Sequence, residues 1–276
     1  MQIHTTIAGL RDTLAGSSST VLVPTMGNLH EGHLALMRQA RQYGGPVVAT
    51  IFVNRLQFRP GEDFERYPRT LEADCGHLRA AGVDHLFAPD EGQMYPRPQT
   101  FHIDPPTDQA GILDGAARPG HFRGMATVVM KLFQIVRPHT ALFGKKDYQQ
   151  LMIIRNMVQD FNLPIRIVGG ETVRAADGLA LSSRNGYLDA NQRKEAPRLF
   201  EALTKVVAEI RRGNHDFPLL ERVCGDELAS NGWKVDYIAV RNKIDLQLPP
   251  AVHESGLVVL AAARLGSTRL IDNLEV

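Results

Sequence analysis

Two histidines three residues apart, His30 and His33, close the stretch Val23-Pro24-Thr25-Met26-Gly27-Asn28-Leu29-His30-Glu31-Gly32-His33. An apolar run, Val21-Leu22-Val23, leads into it and reads as a short buried strand. Leu34, Met37 and Ala40, with Leu36 and Tyr43, follow at helical spacing. The chain therefore turns from strand to helix between Pro24 and Glu31, and the spacing predicts both imidazoles on one face of the first helical turn. A helix start presents unpaired N–H groups and the positive end of its dipole. Imidazoles placed there suit attack at the α-phosphate of a nucleoside triphosphate. They can donate to phosphate oxygens and stabilise the charge that grows in the transition state. Gly32 would let the nucleotide come close to the helix. A resident metal fits less well, because this His-x-x-His has no Cys or carboxylate framework beside it.

Four more clusters carry usable chemistry. In Phe143-Gly144-Lys145-Lys146-Asp147-Tyr148-Gln149-Gln150, Lys146 could neutralise a phosphate, and Asp147 could accept from a ribose hydroxyl or help hold a metal ion. Gln150, one turn on, could face a small polar substrate; paired lysines also read as solvated surface. In Asp177 to Asn185, Ser182, Ser183 and Arg184 offer two hydroxyls and a fork-shaped cation, a clamp for a leaving pyrophosphate. Ser-Ser-Arg alone is also a common surface loop. The run Phe52-Val53-Asn54-Arg55-Leu56-Gln57-Phe58 ends a buried strand in Asn54 and Gln57, amides able to hold a hydroxy acid by neutral hydrogen bonds. Arg118-Pro119-Gly120-His121-Phe122-Arg123-Gly124 reads as a basic glycine loop before a helix, touching phosphate or merely turning the chain.

The elements that must position these residues alternate. Pro46 to Val53 is near-continuously apolar, as in a parallel strand covered on both faces. Leu71 to Ala81 reads as a helix stopped by Gly82, and Val83 to Ala88 as a strand ended by Pro89. Gly124 to Val136 is a helix by its apolar spacing, stopped before Pro138. Thr140 to Phe143 is a strand, Asp147 to Phe161 a helix and Ile165 to Val168 a strand. This order predicts an α/β fold with a doubly wound parallel sheet, whose ligands bind beyond the carboxyl ends of the strands. After Glu171 the texture changes. Helical patterns at Gln192 to Arg212 and Phe217 to Ser230, then strand-like runs at Lys234 to Val240 and Gly256 to Ala263, predict a second, smaller α/β domain from about residue 172.

Bulk composition narrows the partners. The 276 residues are 43% hydrophobic and 22% charged, ordinary for a globular protein. Lys+Arg 31 against Asp+Glu 30 leaves a net charge of +1, so no bulk field recruits nucleic acid or an anionic membrane. Cys75 and Cys224 form no Cys-x-x-Cys pattern and read as reduced thiols of a cytoplasmic protein. Met1 to Leu10 lacks the pattern of a signal peptide, and the longest apolar run, Leu257 to Ala263, is too short to span a bilayer.

Taken together, Pro24 to His33, Arg118 to Gly124, Phe143 to Gln150, Asp177 to Asn185 and Arg269-Leu270-Ile271-Asp272-Asn273 closely resemble the pantoate–β-alanine ligases, a family of adenylate-forming His-x-Gly-His nucleotidyltransferases. The resemblance runs in order from about residue 20 to the C-terminus. It implies a Rossmann-like nucleotide- and pantoate-binding domain over 1–171 and a smaller domain over 172–276 that closes over the ATP site. It also implies a two-step reaction: pantoate attacks the α-phosphate of Mg-ATP to give pantoyl adenylate and pyrophosphate, and β-alanine then displaces AMP to give pantothenate. By resemblance, Met26, Gly27, Asn28, Leu29, His30, Glu31, Gly32 and His33 line the ATP site, with His33 the family's proton donor and His30 a phosphate contact. Gly144, Lys145, Lys146 and Asp147 hold ATP, with Lys146 on the phosphates, and Val173, Leu181, Ser182, Ser183 and Arg184 complete the nucleotide site. Gln57 and Gln150 bind pantoate, beside Asn54. A paired-amide acid site argues against a phosphate acceptor, which would call for more cations. The family is typically a homodimer joined through its first domain.

Because a carboxylate nucleophile gives up no proton, His33 is better understood as a hydrogen-bond donor to phosphate than as an acid. Two residues depart from the family pattern. Arg55 stands where proline is usual, and Lys145 where glutamate is usual. Lys145 reads as pointing away from the site; Arg55 either adds a cation beside the pantoate site or lies outside it.

Overall fold

A computed structural model describes residues 1–17, 19–249 and 256–276. In chain order the elements are β1 (Gln2–His4), α1 (Ile7–Leu14), β2 (Val21–Thr25), α2 (Glu31–Ala40), β3 (Val47–Ile51), α3 (Leu71–Ala80) and β4 (His85–Phe87). Three short helices follow, α4 (Glu91–Met94), α5 (Thr107–Ala110) and α6 (Leu113–Ala117). Then come α7 (His121–Val136), β5 (Thr140–Gly144), α8 (Tyr148–Asp160) and β6 (Arg166–Gly170). The remainder is α9 (Ala190–Glu195), α10 (Arg198–Arg211), α11 (Phe217–Ser230), β7 (Trp233–Asn242), β8 (Leu257–Leu265) and β9 (Thr268–Glu275).

Strands β1 to β6 form one parallel sheet in the order β1-β4-β3-β2-β5-β6. From β2 the chain winds outward through β3; after α7 it returns to the other side of β2 as β5, where Val21 pairs with Thr140 and Leu22 with Ala141. The order therefore reverses between β2 and β5, and the loops leaving their carboxyl ends diverge around a crevice. Those loops are the His30 turn and the Lys145–Asp147 turn. Helices cover both faces. On one, α7 and α8 pack Phe133, Met125, Leu151 and Ile154 against Leu22 and Ala141. On the other, α2 and α3 pack Met37, Ala40 and Leu78 against Val21, Val23 and Ala49. Burial on both faces explains the near-continuous apolar runs of β2, β3 and β5.

A three-stranded antiparallel sheet, β7-β8-β9, carries α10 and α11 on one face through Leu203, Val206, Leu220, Val259 and Ala261. From its other face Ala239, Val258 and Leu260 join the core of α7 and α8. Central β8 is thus covered on both sides, which is why Leu257 to Ala263 is apolar throughout.

Four elements differ from the sequence reading. Strand β1 and helix α1 build an extra edge that the polar N-terminus does not announce, and β9 adds a third strand to the second sheet. Helix α7 begins at His121, so His121 to Gly124 is helix and not loop; Gly120, at φ 82°, makes the turn into it.

Candidate active site

The His30 turn is built by local bonds. Thr25 Oγ1 accepts from the Gly27 N–H at 3.2 Å. The buried carboxylate of Asp74 on α3 accepts from the Asn28 N–H at 2.9 Å and the Leu29 N–H at 2.8 Å, and Thr70 donates to the same carboxylate at 3.1 Å. These bonds hold Asn28 in the left-handed region, at φ 51°. His30 is the N-cap of α2 and His33 its third residue, and the two cap each other reciprocally. The Gly32 N–H donates to His30 Nδ1 at 3.2 Å and the His30 N–H donates to His33 Nδ1 at 3.3 Å. The rings lie 4.1 Å apart between centroids.

The expectation of free N–H groups for a phosphate is narrowed by this geometry. The amides of Gly27, Asn28, Leu29, His30 and Gly32 are all engaged within the protein. What the turn offers instead is side chains. A backbone N–H only donates, so each Nδ1 accepts and the proton of each neutral ring sits on Nε2. Burial, assisted by Lys146 at His30 and by His30 itself at His33, lowers the pKa of His30 to about 4 and of His33 to about 3. At neutral pH both rings are uncharged Nε2–H donors. Gly32 serves the same arrangement: a Cβ there would lie 3.0 Å from the Cε1 and Nδ1 of His30, so the glycine makes room for the capping ring.

A cavity of about 240 Å³ opens beside the rings, beyond the ends of β2 and β5. It gathers His30, His33, Met26 and Gly32 from the first turn, and Gly144, Lys146, Asp147 and Gln150 from the second. Asn54 and Gln57 line it after β3, and Val173, Leu181, Ser182, Ser183 and Arg184 line it from the segment after β6. A second cavity of about 530 Å³ adjoins it and shares Lys146, Asp147, Gln150, Ser182 and Arg184. The side chains of Lys146 and Asp147 make no hydrogen bond or ion pair among the described residues. Ser183 donates to the Asn28 carbonyl at 3.1 Å, which brings the serine loop onto the histidine turn. Arg184 holds Asp63 through Nε at 3.1 Å and Nη2 at 3.2 Å, leaving Nη1 for another acceptor.

Several sequence-selected residues lie elsewhere. Gly27, Asn28 and Leu29 shape the turn without lining the cavity, and Leu29 is core. Glu31 pairs with Arg38 on the exposed side of α2. Lys145 turns its amine to Glu171 at 2.6 Å and Glu275 at 3.5 Å, as its departure from glutamate had suggested. Arg55 lies over the Phe64 ring at 4.0 Å and pairs with Glu65 and Glu91, so it adds no cation to the cavity. Asn54 has no donor or acceptor left for a substrate. Its Nδ2 donates to Gln57 Oε1 and the Gly124 carbonyl, each at 3.1 Å, while its Oδ1 accepts from Tyr95 at 2.7 Å and Leu56 N–H at 3.4 Å. It therefore fixes Gln57 with the amide nitrogen directed away, where that nitrogen meets Met26 Sδ at 3.1 Å.

The Arg118–Gly124 stretch supports the same glutamine. Arg118 grips Glu62 at 2.6 and 3.1 Å and the Gln57 carbonyl at 3.4 Å, and His121 Nδ1 lies 2.9 Å from that carbonyl. Burial of Glu62 would raise its pKa, but Arg118 and Arg59 bring it down to about 2. Gly124 lets α7 meet this turn backbone to backbone; a Cβ there would sit 2.1 Å from the Leu56 carbonyl oxygen. Sequence inspection did not find Asp74, Tyr95 or the apolar wall of Met125, Val129, Leu132 and Phe143 that backs the cavity.

A parallel sheet whose switch point holds two imidazole donors and a lysine defines an α/β enzyme that works on a nucleotide. The model of the family "Pantoate-beta-alanine ligase" matches residues 2–275. A pantothenate synthetase of Nitrosospira multiformis is 56% identical over 276 residues, covering 100% of this chain and 98% of that protein. The pantothenate synthetase of Thermus thermophilus superposes with a TM-score of 0.94 at 45% identity, covering 100% of this chain and 99% of that one. The pantoate–β-alanine ligase of Francisella tularensis, solved with a β,γ-ATP compound and β-alanine, superposes with a TM-score of 0.85 at 34% identity, covering 100% and 97%. The chain belongs to the pantoate–β-alanine ligase family. It is accordingly an ATP-using ligase of pantothenate biosynthesis, joining pantoate to β-alanine.

Proposed function

We propose that the cavity beside His30 and His33 is where pantoate is adenylated and then transferred to β-alanine. A carboxylate oxygen of pantoate attacks the α-phosphorus of ATP. The bond from that phosphorus to the bridging oxygen of the β-phosphate breaks, and pyrophosphate leaves. The amine of β-alanine then attacks the acyl carbon, the bond to the adenylate oxygen breaks, and AMP leaves as the amine loses a proton. The observation that carries this reading is the reciprocal capping of His30 and His33, which makes both rings neutral Nε2–H donors. Neutral donors stabilise growing phosphate charge without a proton changing hands, which suits a nucleophile that has none to lose.

The other roles follow by chemistry. Lys146, unpaired among the described residues, supplies a cation for the phosphates. Arg184 Nη1, with the Ser182 and Ser183 hydroxyls, takes the leaving pyrophosphate, and Val173 and Leu181 bound the nucleotide. Gln57 and Gln150 take pantoate's hydroxyls and carboxylate. Its two methyl groups suit the apolar wall of Met125, Val129, Leu132 and Phe143. Magnesium takes a carboxylate or two together with substrate phosphates, and the unpartnered Asp147 fits that need. No group of three or more His, Cys, Asp or Glu side chains gathers among the described residues to hold a metal by itself. Bound with ATP, the ion would neutralise phosphate charge.

The same reading divides the chain into a nucleotide- and pantoate-binding domain over 1–171 and a domain over 172–276 that closes on the ATP site. It also carries a cytoplasmic homodimer. Buried, unpaired Cys75 and Cys224 agree with a reducing compartment, and no helix among the described residues is long and apolar enough to cross a membrane. Sedimentation of the purified enzyme tests the dimer. The chemical reading is tested by exchange of labelled pyrophosphate into ATP without β-alanine. Exchange that requires pantoate supports it; exchange that requires β-alanine, or none, opposes it.

A further inference from the structure

The Arg269–Asn273 segment has no part in the reaction above, yet it reaches the site. Asn273 on β9 is 6% exposed. Its Nδ2 donates to the Lys145 carbonyl at 3.0 Å and to the Lys146 carbonyl at 2.9 Å. Both amide hydrogens are thus committed to the two carbonyls of the turn that carries Lys146. The Lys146 amine has no partner of its own among the described residues, so its aim depends on the backbone beneath it.

Asn273 is itself held. Its N–H donates to Asp272 Oδ1 at 2.8 Å, and Asp272 receives Arg174 at 2.6 and 2.9 Å. Arg174 also donates to the Asn273 carbonyl at 3.2 Å and to the Gly178 carbonyl at 3.1 Å, and lies 4.1 Å over the Phe200 ring. One buried cluster therefore anchors both the Lys146 turn and the loop that runs on to Ser182 and Arg184.

We propose that Asn273 is a positioning residue for Lys146, setting the turn so that the amine meets the phosphates; this rests on the phosphate role given to Lys146. A rigidly held donor loses most of its effect when displaced by an ångström. An asparagine that merely stabilised the fold would instead lower activity independently of Lys146.

The experiment is a mutant cycle on the full-length enzyme, read by pantoate-dependent pyrophosphate exchange. Lys146→Ala should slow exchange by roughly 10²–10³, and Asn273→Ala by roughly 10–10² with the KM for pantoate unchanged. The double variant should be no slower than Lys146→Ala within about twofold, since the two residues act as one. A double variant slowed by the product of the single losses, or Asn273→Ala at the wild-type rate, overturns the proposal. Normal exchange in Lys146→Ala would instead sink the phosphate role of Lys146, a separate failure. Asn273→Asp, alike in shape but facing both carbonyls with acceptors, runs the same cycle if the alanine variant does not fold. Loss of near-ultraviolet dichroism in both variants would overturn the proposal in favour of a purely structural asparagine.

Discussion

Asp74→Asn tests how the histidine turn is held. The Asp74 carboxylate accepts from two backbone N–H groups at 2.9 and 2.8 Å and from Thr70 at 3.1 Å, and the residue is 1% exposed. An asparagine keeps one oxygen for one amide and turns an NH₂ group toward the other. One buried N–H is then stranded, at a cost of about 1–3 kcal/mol. Alanine strands both, about 2–6 kcal/mol on the same basis, a large share of the roughly 5–15 kcal/mol that holds a domain together. With a urea dependence of about 2–3 kcal/mol per molar, Asp74→Asn should lower the unfolding midpoint by about 0.3–1.5 M. Because the same turn sets His30 as N-cap, exchange measured well below that midpoint should also slow, by roughly 10–10². An unchanged midpoint together with an unchanged exchange rate would refute the account of the turn.

The other expectations are briefer. His33→Ala should lower pantoate-dependent exchange by roughly 10²–10³ with the fold intact; an unchanged rate removes the role given to His33. Nitrogen-15 NMR of the free enzyme at pH 6 should show His30 and His33 neutral and protonated on Nε2, since their pKa values lie near 4 and 3; an imidazolium signal from either contradicts this. For stability the sign is fixed: the native pKa values lie below the ordinary 6.5, so the unfolded chain takes up the protons first. The contribution of these rings is full above about pH 6.5 and is lost as pH falls toward 4 and then 3, which acid unfolding monitored by fluorescence can follow. Arg55→Pro should leave the KM for pantoate and its salt dependence unaltered, because the guanidinium sits on Phe64, Glu65 and Glu91, and proline suits the first position of a helical turn. A raised KM would place Arg55 in the acid site after all.

How far the sequence could be read depended on the distance over which each feature is determined. The sheet was legible because β2, β3 and β5 are covered on both faces and so are almost wholly apolar. Two of the edge strands were not: Gln2–His4 and Thr268–Glu275 mix polar and apolar residues because one side of each is not a core. His30, His33, Lys146 and Gln57 could be picked out because their chemistry follows from residue type at a strand end. What the sequence could not convey was which groups were already engaged. The Asn28 and Leu29 amides are taken by Asp74, 46 and 45 residues away, and those of Gly27, His30 and Gly32 by Thr25 and the two histidines, so the turn is not the open anion site that its position suggests. Asn54 looks like a substrate amide, but Tyr95 and Gly124 occupy it from distant parts of the chain. Glu31 lies between the two histidines and yet faces Arg38, because the helix turns its side chain outward.

The central claim is that pantoate's carboxylate attacks the α-phosphorus held by His30, His33 and Lys146. Pantoate carrying oxygen-18 in its carboxylate tests it most directly. After turnover with ATP and β-alanine, mass spectrometry should find one labelled oxygen in AMP and none in pyrophosphate. Label absent from AMP would contradict attack by the carboxylate at that phosphorus.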